Sequence, residues 1–341
     1  MSEHPTALVA HGGNLHEAAE RYGIAWDAWI DLSTGINPHA YPVPPVPSTA
    51  WRRLPDDGDG FAARAARYYG APDARHVLPV AGSQAAIRTL PALLPRARVA
   101  IAPLTYGEYA PAFARAGHEI VPLDVTQDPL PDTVTHAVVV NPNNPTATHL
   151  AAARLLHWHA QLAGRGGTLI VDEAFADAFG HEQSETLAHA TSREGLVVLR
   201  SPGKFFGLAG ARCGFALGAP ALLAALRASL GAWTVSGPAR HAVTHAFEDS
   251  AWQNEARTRL AAESASLVAL LCAHGFTPHA TPLFAWITDP RAPALQDALA
   301  RHAVWTRRFD APASLRFGLP ASEGEWQRFE NALEQAMRAI G

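Results

Sequence analysis

Leu196-Val197-Val198-Leu199, an apolar run of strand-forming residues, leads within two positions into Pro202-Gly203-Lys204-Phe205-Phe206-Gly207-Leu208-Ala209-Gly210-Ala211-Arg212-Cys213-Gly214, with Arg200 and Ser201 at the junction. A hydroxyl, a lysine, an arginine and several glycines at the exit of a buried strand suit an anion site. A Walker A loop is excluded, since it would need Gly at Val198 and Ser or Thr at Phe205, and no GxGxxG is present here. Taken alone, the segment reads equally as a surface turn with an incidental lysine.

Working outward, the same arrangement recurs. Thr168 to Asp172 is an apolar strand ending in Asp172-Glu173. A carboxylate buried there is costly unless it meets a cation or a donor, so a partner is expected, structural or functional. His136 to Val140 ends in the turn-rich Asn141-Pro142-Asn143-Asn144-Pro145-Thr146. Val77 to Val80 leads into Gly82-Ser83-Gln84, where an opening helix offers backbone N–H groups to a phosphate, or is simply capped. Further apolar runs lie at Arg98 to Ala102 and His118 to Leu123, and helical patterns at Ser83 to Leu94 and Leu150 to Ala163. The alternation predicts an α/β fold, with a mainly parallel mixed sheet covered by helices and sites at the carboxyl ends of its strands.

Past Gly231 to Pro238 the pattern changes. A long helix from Ala239 to about His274, a strand at Phe284 to Ile287, a helix near Leu295 to His302, a short strand at Leu315 to Phe317 and a last helix from Glu323 to Ile340 read as a smaller α+β domain. The expected division is an amino-terminal arm over 1–50, packing with the small domain, a large domain over 51–235 and the small domain over 236–341.

The chain has 341 residues, 48% hydrophobic and 17% charged, which suits a globular protein of about two domains. Its net charge of −4 supplies no basic field for nucleic acid or anionic lipid. The two cysteines, Cys213 and Cys272, form no disulfide framework or spaced zinc-ligand set, which fits a reducing compartment. Met1-Ser2-Glu3-His4-Pro5 lacks a secretory pattern, and no apolar run reaches the roughly 18 residues of a membrane span, so a cytoplasmic location is expected. Among 17 histidines, His157 and His159 point to different helix faces, and His16-Glu17 and His181-Glu182 lack the second histidine of HExxH, so no metal is expected.

A phosphate-ready helix start, an amide, an acid, and a lysine with a nearby arginine follow one another at strand ends. Together they describe the environment of pyridoxal 5′-phosphate, which needs a lysine for its aldehyde, an acid for its pyridine nitrogen, a donor to its ring oxygen and a phosphate cup. In order and spacing, Asn144, Asp172, Lys204 and Arg212 resemble the fold-type I, aspartate-aminotransferase-like superfamily across nearly the whole chain. The resemblance implies that Lys204 joins the cofactor, Asp172 pairs with its ring nitrogen and Asn144 donates to its ring oxygen. It assigns the phosphate to Gly82, Ser83, Gln84, Ser201 and Arg212, ring stacking to Tyr106 and a substrate carboxylate to Arg316.

At the front, His11-Gly12-Gly13-Asn14 and Ser33-Thr34-Gly35-Ile36-Asn37-Pro38 resemble the threonine-phosphate decarboxylases of cobalamin synthesis, as does Phe175 where most aminotransferases have Tyr. That resemblance implies decarboxylation of L-threonine O-3-phosphate to (R)-1-amino-2-propanol phosphate in a homodimer, with His11 and Asn37 as candidates for the substrate phosphate. The alternatives are a histidinol-phosphate or other amino-acid aminotransferase, which would use the same residues, and a non-catalytic cofactor-binding protein. Four positions depart from the superfamily pattern: Ala147 for a glycine, Gly203 for a hydroxyl residue, Leu54 for a Tyr that reaches the partner subunit's cofactor, and Phe175, which cannot donate to the ring oxygen.

Overall fold

The computed structural model describes residues 12–180 and 185–341. The described chain divides into two compact units. The larger comprises Ile36–Ser266 and His279–Leu283; the smaller comprises the described residues up to Gly35, Leu267–Pro278 and Phe284–Gly341. Residues 236–266, expected in the small domain, therefore group with the larger unit, and the expected arm is divided after Gly35.

In chain order, β1 (Ile30–Leu32) belongs to the smaller unit, and the next seven strands form the sheet of the larger one. These are β2 (Val77–Val80), β3 (Arg98–Ile101), β4 (Glu119–Pro122), β5 (His136–Val140), β6 (Thr168–Asp172), β7 (Leu196–Arg200) and β8 (Gly214–Gly218), in the order β2-β8-β7-β6-β5-β3-β4. From β7 across to β4 all pairs are parallel, while β8 runs against both of its neighbours. Every residue of β5, β6 and β7 is buried, the near-continuous apolar pattern of strands covered on both faces. Ile87 and Leu90, from the helix Ser83–Leu93, join Val99, Phe113, Ile170 and Val197 in the core.

The sequence pattern missed β8, whose Gly-Phe-Ala-Leu-Gly reads as the tail of a glycine-rich loop. Gly214 has a packing reason: a Cβ there would lie 2.4 Å from the Ser83 backbone nitrogen, so only glycine lets this strand pass the start of the helix. The long helix expected from Ala239 is two helices, Gly237–Glu248 and Ser250–Ala273. Asp249 between them leaves helical geometry at φ −93° and ψ 78°, and its carboxylate caps the second helix by accepting from the Trp252 N–H at 3.0 Å.

The short β9 (His279–Thr281) falls within the larger unit. In the smaller unit, β1, β10 (Phe284–Thr288), β11 (Val304–Asp310) and β12 (Ala313–Phe317) assemble in the order β1-β11-β12-β10. β1 runs parallel to β11, pairing Ile30 with Val304. β11 also escaped the pattern reading, because its Trp-Thr-Arg-Arg-Phe core is half-buried and its arginines read as a solvated surface. Leu295 and Leu299 of the helix Ala292–Arg301, and Phe329 and Leu333 of Glu323–Ile340, are buried in this unit.

Candidate active site

Register aligns the exits of three parallel strands, with Val140 opposite Asp172 and Asp172 opposite Leu199. A cavity of about 120 Å³ opens at these exits. Gly82, Ser83 and Gln84 reach it from β2, Asn144 from β5, Asp172 and Phe175 from β6, and Ser201 and Lys204 from β7. Arg212 and Tyr106 complete its lining, so nine of the positions named from sequence, Gly82, Ser83, Gln84, Tyr106, Asn144, Asp172, Ser201, Lys204 and Arg212, share one cavity.

One end is a cup for a dianion. Gly82 has φ 73°, a conformation that favours glycine, and the Arg212 guanidinium packs against it, 2.7 Å from where a Cβ would stand. The Ser201 hydroxyl donates to the Ser83 hydroxyl at 2.9 Å. Ser83 begins an eleven-residue helix whose amino-terminal N–H groups and dipole favour negative charge. Arg212 itself sits in the left-handed region at φ 51°. Two hydroxyls, a guanidinium and a helix start are the donor set a phosphate requires.

The opposite chemistry lies at the end of β6. Asp172 is 3% exposed. Its Oδ2 accepts from the Tyr109 hydroxyl at 2.7 Å and its Oδ1 from the Ala174 N–H at 3.0 Å. Burial raises its carboxyl above the ordinary value of 3.8, while Tyr109, the Ala174 N–H and the charge of Lys204 draw it back down. A buried carboxylate held by neutral donors beside a lysine suits a protonated ring nitrogen. Tyr106 donates to Gln84 Oε1 at 3.1 Å, and burial pushes its phenol to about 12, so it stays neutral.

Lys204 stands on the short helix Pro202–Phe205, its Nζ 5.9 Å from the centre of the buried Phe175 ring. It is the only lysine in the chain; every other cationic side chain apart from histidine is arginine, a count that singles out the amine before any motif does. Asn37, expected to meet substrate phosphate, is buried and serves the chain itself. Its N–H donates to the Lys204 carbonyl at 2.9 Å and its Nδ2 to the Phe205 carbonyl at 2.8 Å, while its Oδ1 accepts from the His39 N–H. A Cβ on Gly203 would lie 2.9 Å from the Ala209 Cα, which explains why no hydroxyl side chain precedes the lysine. Ala147 occupies its glycine-like position with φ 59°, a left-handed conformation that costs an alanine roughly 1 kcal/mol. Leu54 is 67% exposed.

Glu173 faces away from these groups. Its carboxylate accepts from the Leu187 N–H at 2.8 Å and the Thr186 hydroxyl at 2.6 Å, and it pairs with Arg200, whose other arm meets Asp177 and whose guanidinium lies over the Tyr69 ring. Sequence reading did not resolve this clamp, although an arginine closing an apolar strand was its signal. Tyr109, whose hydroxyl donates to Asp172, was missed as well. Cys213, next to Arg212, is a buried thiol raised to about 12 and therefore unreactive.

Arg316 lies in the smaller unit, buried on β12 and donating to the Ser33 carbonyl. It pairs in register with Arg307 of β11. Burial, then the like charge of Arg307, lowers the Arg316 pKa to about 10, and the charge of Asp31 partly offsets them. His11 lies outside the described residues.

A family model for "Aminotransferase class I and II" matches residues 57–333. The chain belongs to the class I and II aminotransferase family. It is 49% identical over 328 residues to a threonine-phosphate decarboxylase from Pseudomonas aeruginosa, covering 96% of this chain and 97% of that one. It is 41% identical over 338 residues to a threonine-phosphate decarboxylase from Sinorhizobium sp, covering 96% and 98%. Its fold is similar to that of histidinol-phosphate aminotransferase from Sinorhizobium meliloti, solved in complex with pyridoxal 5′-phosphate, with a TM-score of 0.83 at 18% identity over 100% of this chain and 99% of that one. The fold is thus that of the fold-type I enzymes, as the resemblance carried by Asn144, Asp172, Lys204 and Arg212 implied.

Proposed function

We propose that the chain is a pyridoxal 5′-phosphate-dependent lyase that decarboxylates L-threonine O-3-phosphate, releasing CO₂ and (R)-1-amino-2-propanol phosphate for the cobalamin linker. The observation that carries this reading is the single cavity in which the only lysine, a buried carboxylate and a hydroxyl–guanidinium cup come together. The full-length kinship to two decarboxylases supports decarboxylation over amino-group transfer.

The residues present fit the cofactor: a turn that favours glycine beside Arg212 matches a phosphate, and Asp172 matches a protonated pyridine. When bound, the cofactor supplies an electron sink for the pair left at Cα as the carboxylate departs. Ser83, Ser201, Arg212 and the helix N–H groups hold its phosphate, with Gly82 and Gln84 shaping the turn. Asn144 would donate to the ring oxygen, Tyr106 would stack on the ring and Asp172 would keep a proton on the ring nitrogen. The Lys204 amine returns a proton to Cα. Arg316 takes the substrate carboxylate in a bidentate fork, and Arg307 beside it adds charge for a second anionic group. Asn37 acts by anchoring the lysine turn, which leaves His11 as the arm's candidate for the substrate phosphate.

We further propose a homodimer, supported by the exposed Trp51, Leu54 and Trp233 of the larger unit, and a cytoplasmic location. Among the described residues, no helix is long and apolar enough to cross a membrane.

The test is one assay on protein incubated with the cofactor. The expected result is stoichiometric CO₂ and 1-amino-2-propanol phosphate from L-threonine O-3-phosphate, without a keto-acid acceptor. Glutamate formed from 2-oxoglutarate and an amino donor, without CO₂, would instead make the chain an aminotransferase.

A further inference from the structure

We infer that Tyr109 is a positioning residue that keeps Asp172 ionised and fixed in one orientation, and so keeps the proton on the cofactor's ring nitrogen; the inference rests on the cofactor reading above. Tyr109 is buried at the first position of the helix Tyr109–Arg115, its ring set edge-on to Tyr106 with centroids 6.3 Å apart. Its hydroxyl meets Oδ2 of Asp172 at 2.7 Å, and the Ala174 N–H meets Oδ1 at 3.0 Å. Each carboxylate oxygen can accept a second hydrogen bond, so the two protein donors fix the plane of the group and leave acceptor capacity for a ligand.

Donors to the ionised form favour it, whereas the burial around Asp172 favours the neutral acid. Burial, with Asp172 beside it, raises the Tyr109 phenol well above 10, so the hydroxyl remains a donor at any working pH. The adjacent Glu173 opposes ionisation of Asp172, and the pairing of Glu173 with Arg200 limits that opposition. Without the Tyr109 hydroxyl the balance moves toward a neutral Asp172, and the proton shared with the ring nitrogen moves to the carboxyl. The ring becomes a poorer acceptor of electrons, while groups that bind substrate are untouched. Tyr109 thereby tunes the rate of bond cleavage and not the affinity for substrate.

The test loads wild type, Tyr109→Phe, Asp172→Asn and the double variant with pyridoxal 5′-phosphate labelled with nitrogen-15 in the ring. Nuclear magnetic resonance then reports whether that nitrogen carries a proton, and kcat and KM are measured alongside. In Tyr109→Phe the resonance is expected to move toward the unprotonated position and kcat to fall tenfold or more, about the size expected for one hydrogen bond to a charged group, with KM little changed. In the Asp172→Asn background, Tyr109→Phe is expected to change neither quantity.

A wild-type ring resonance in Tyr109→Phe, or an equal loss of kcat in both backgrounds, would overturn the inference. Should Tyr109→Phe fail to fold while the double variant folds, the hydroxyl is needed only when position 172 is charged, which supports it; failure of both overturns it in favour of a packing role. Wild-type protein that takes up no cofactor would refute the underlying reading instead, so the two failures are distinguishable.

Discussion

Asp172 and Glu173 are consecutive, equally buried at 3% and 1% exposure, and chemically near-identical, yet the two sides of the sheet treat them in opposite ways. Alternation at the strand end sends one toward the cavity and the other behind it. On the cavity side Asp172 meets a phenol, a backbone N–H and the nearby lysine. On the rear side Glu173 meets a full cation in Arg200, itself shared with Asp177, and two further donors. A carboxylate held mainly by neutral donors keeps charge to offer a ligand, whereas one matched in a closed clamp holds the scaffold. The rear pair ties β6 to β7, the two strands whose exits carry Asp172 and Lys204.

The sharpest way to break this contrast is to neutralise each side. Asp172→Asn is expected to lower turnover by about a hundredfold to ten-thousandfold, the range for loss of an essential proton-holding group, in a steady-state assay of CO₂ release. Arg200→Met strands Glu173 and Asp177 without their cation, and urea unfolding should register a loss of about 3–5 kcal/mol, the penalty for breaking a buried pair. If the two variants exchanged these signatures, the division between cavity and clamp would be wrong.

The smallest effect sharpens the same comparison. Burial holds the Asp172 pKa above 3.8 in the native, cofactor-free protein, so the unfolded chain releases that proton first as pH rises. Ionised Asp172 therefore subtracts from stability. The loss is absent below 3.8, grows as pH climbs to the raised native value and stays constant above it. Cofactor-free Asp172→Asn should thus be at least as stable as wild type in urea at neutral pH. A clear destabilisation would place Asp172 in the scaffold with Glu173.

Much of this architecture was legible because apolar strands bounded by turns announce themselves: Val77–Val80, His136–Val140, Thr168–Asp172 and Leu196–Arg200 all form strands of one sheet. Much of the cavity lining was legible for the same reason, since strand exits carry Gly82, Asn144, Asp172 and Lys204, whereas Tyr106 was named only through the family resemblance. What escaped depends on partners distant in sequence. β8 is short and glycine-bounded, and its place is fixed by β2 and β7. β11 carries two consecutive arginines, Arg307 and Arg308, and gains its identity from β1 and β12. Asn37 carries no local sign that its amide braces the lysine turn, and nothing in Tyr106-Gly107-Glu108-Tyr109 says which tyrosine reaches Asp172.

The most direct measurement of the central claim is to reduce the cofactor-loaded protein with borohydride and map the adduct by mass spectrometry. Because the chain has a single lysine, a covalent link at a lysine amine must appear on the tryptic peptide Ser201–Arg212. One cofactor per chain on that peptide, absent from Lys204→Arg, is the predicted result. No adduct, or an adduct that persists in Lys204→Arg, would contradict the account.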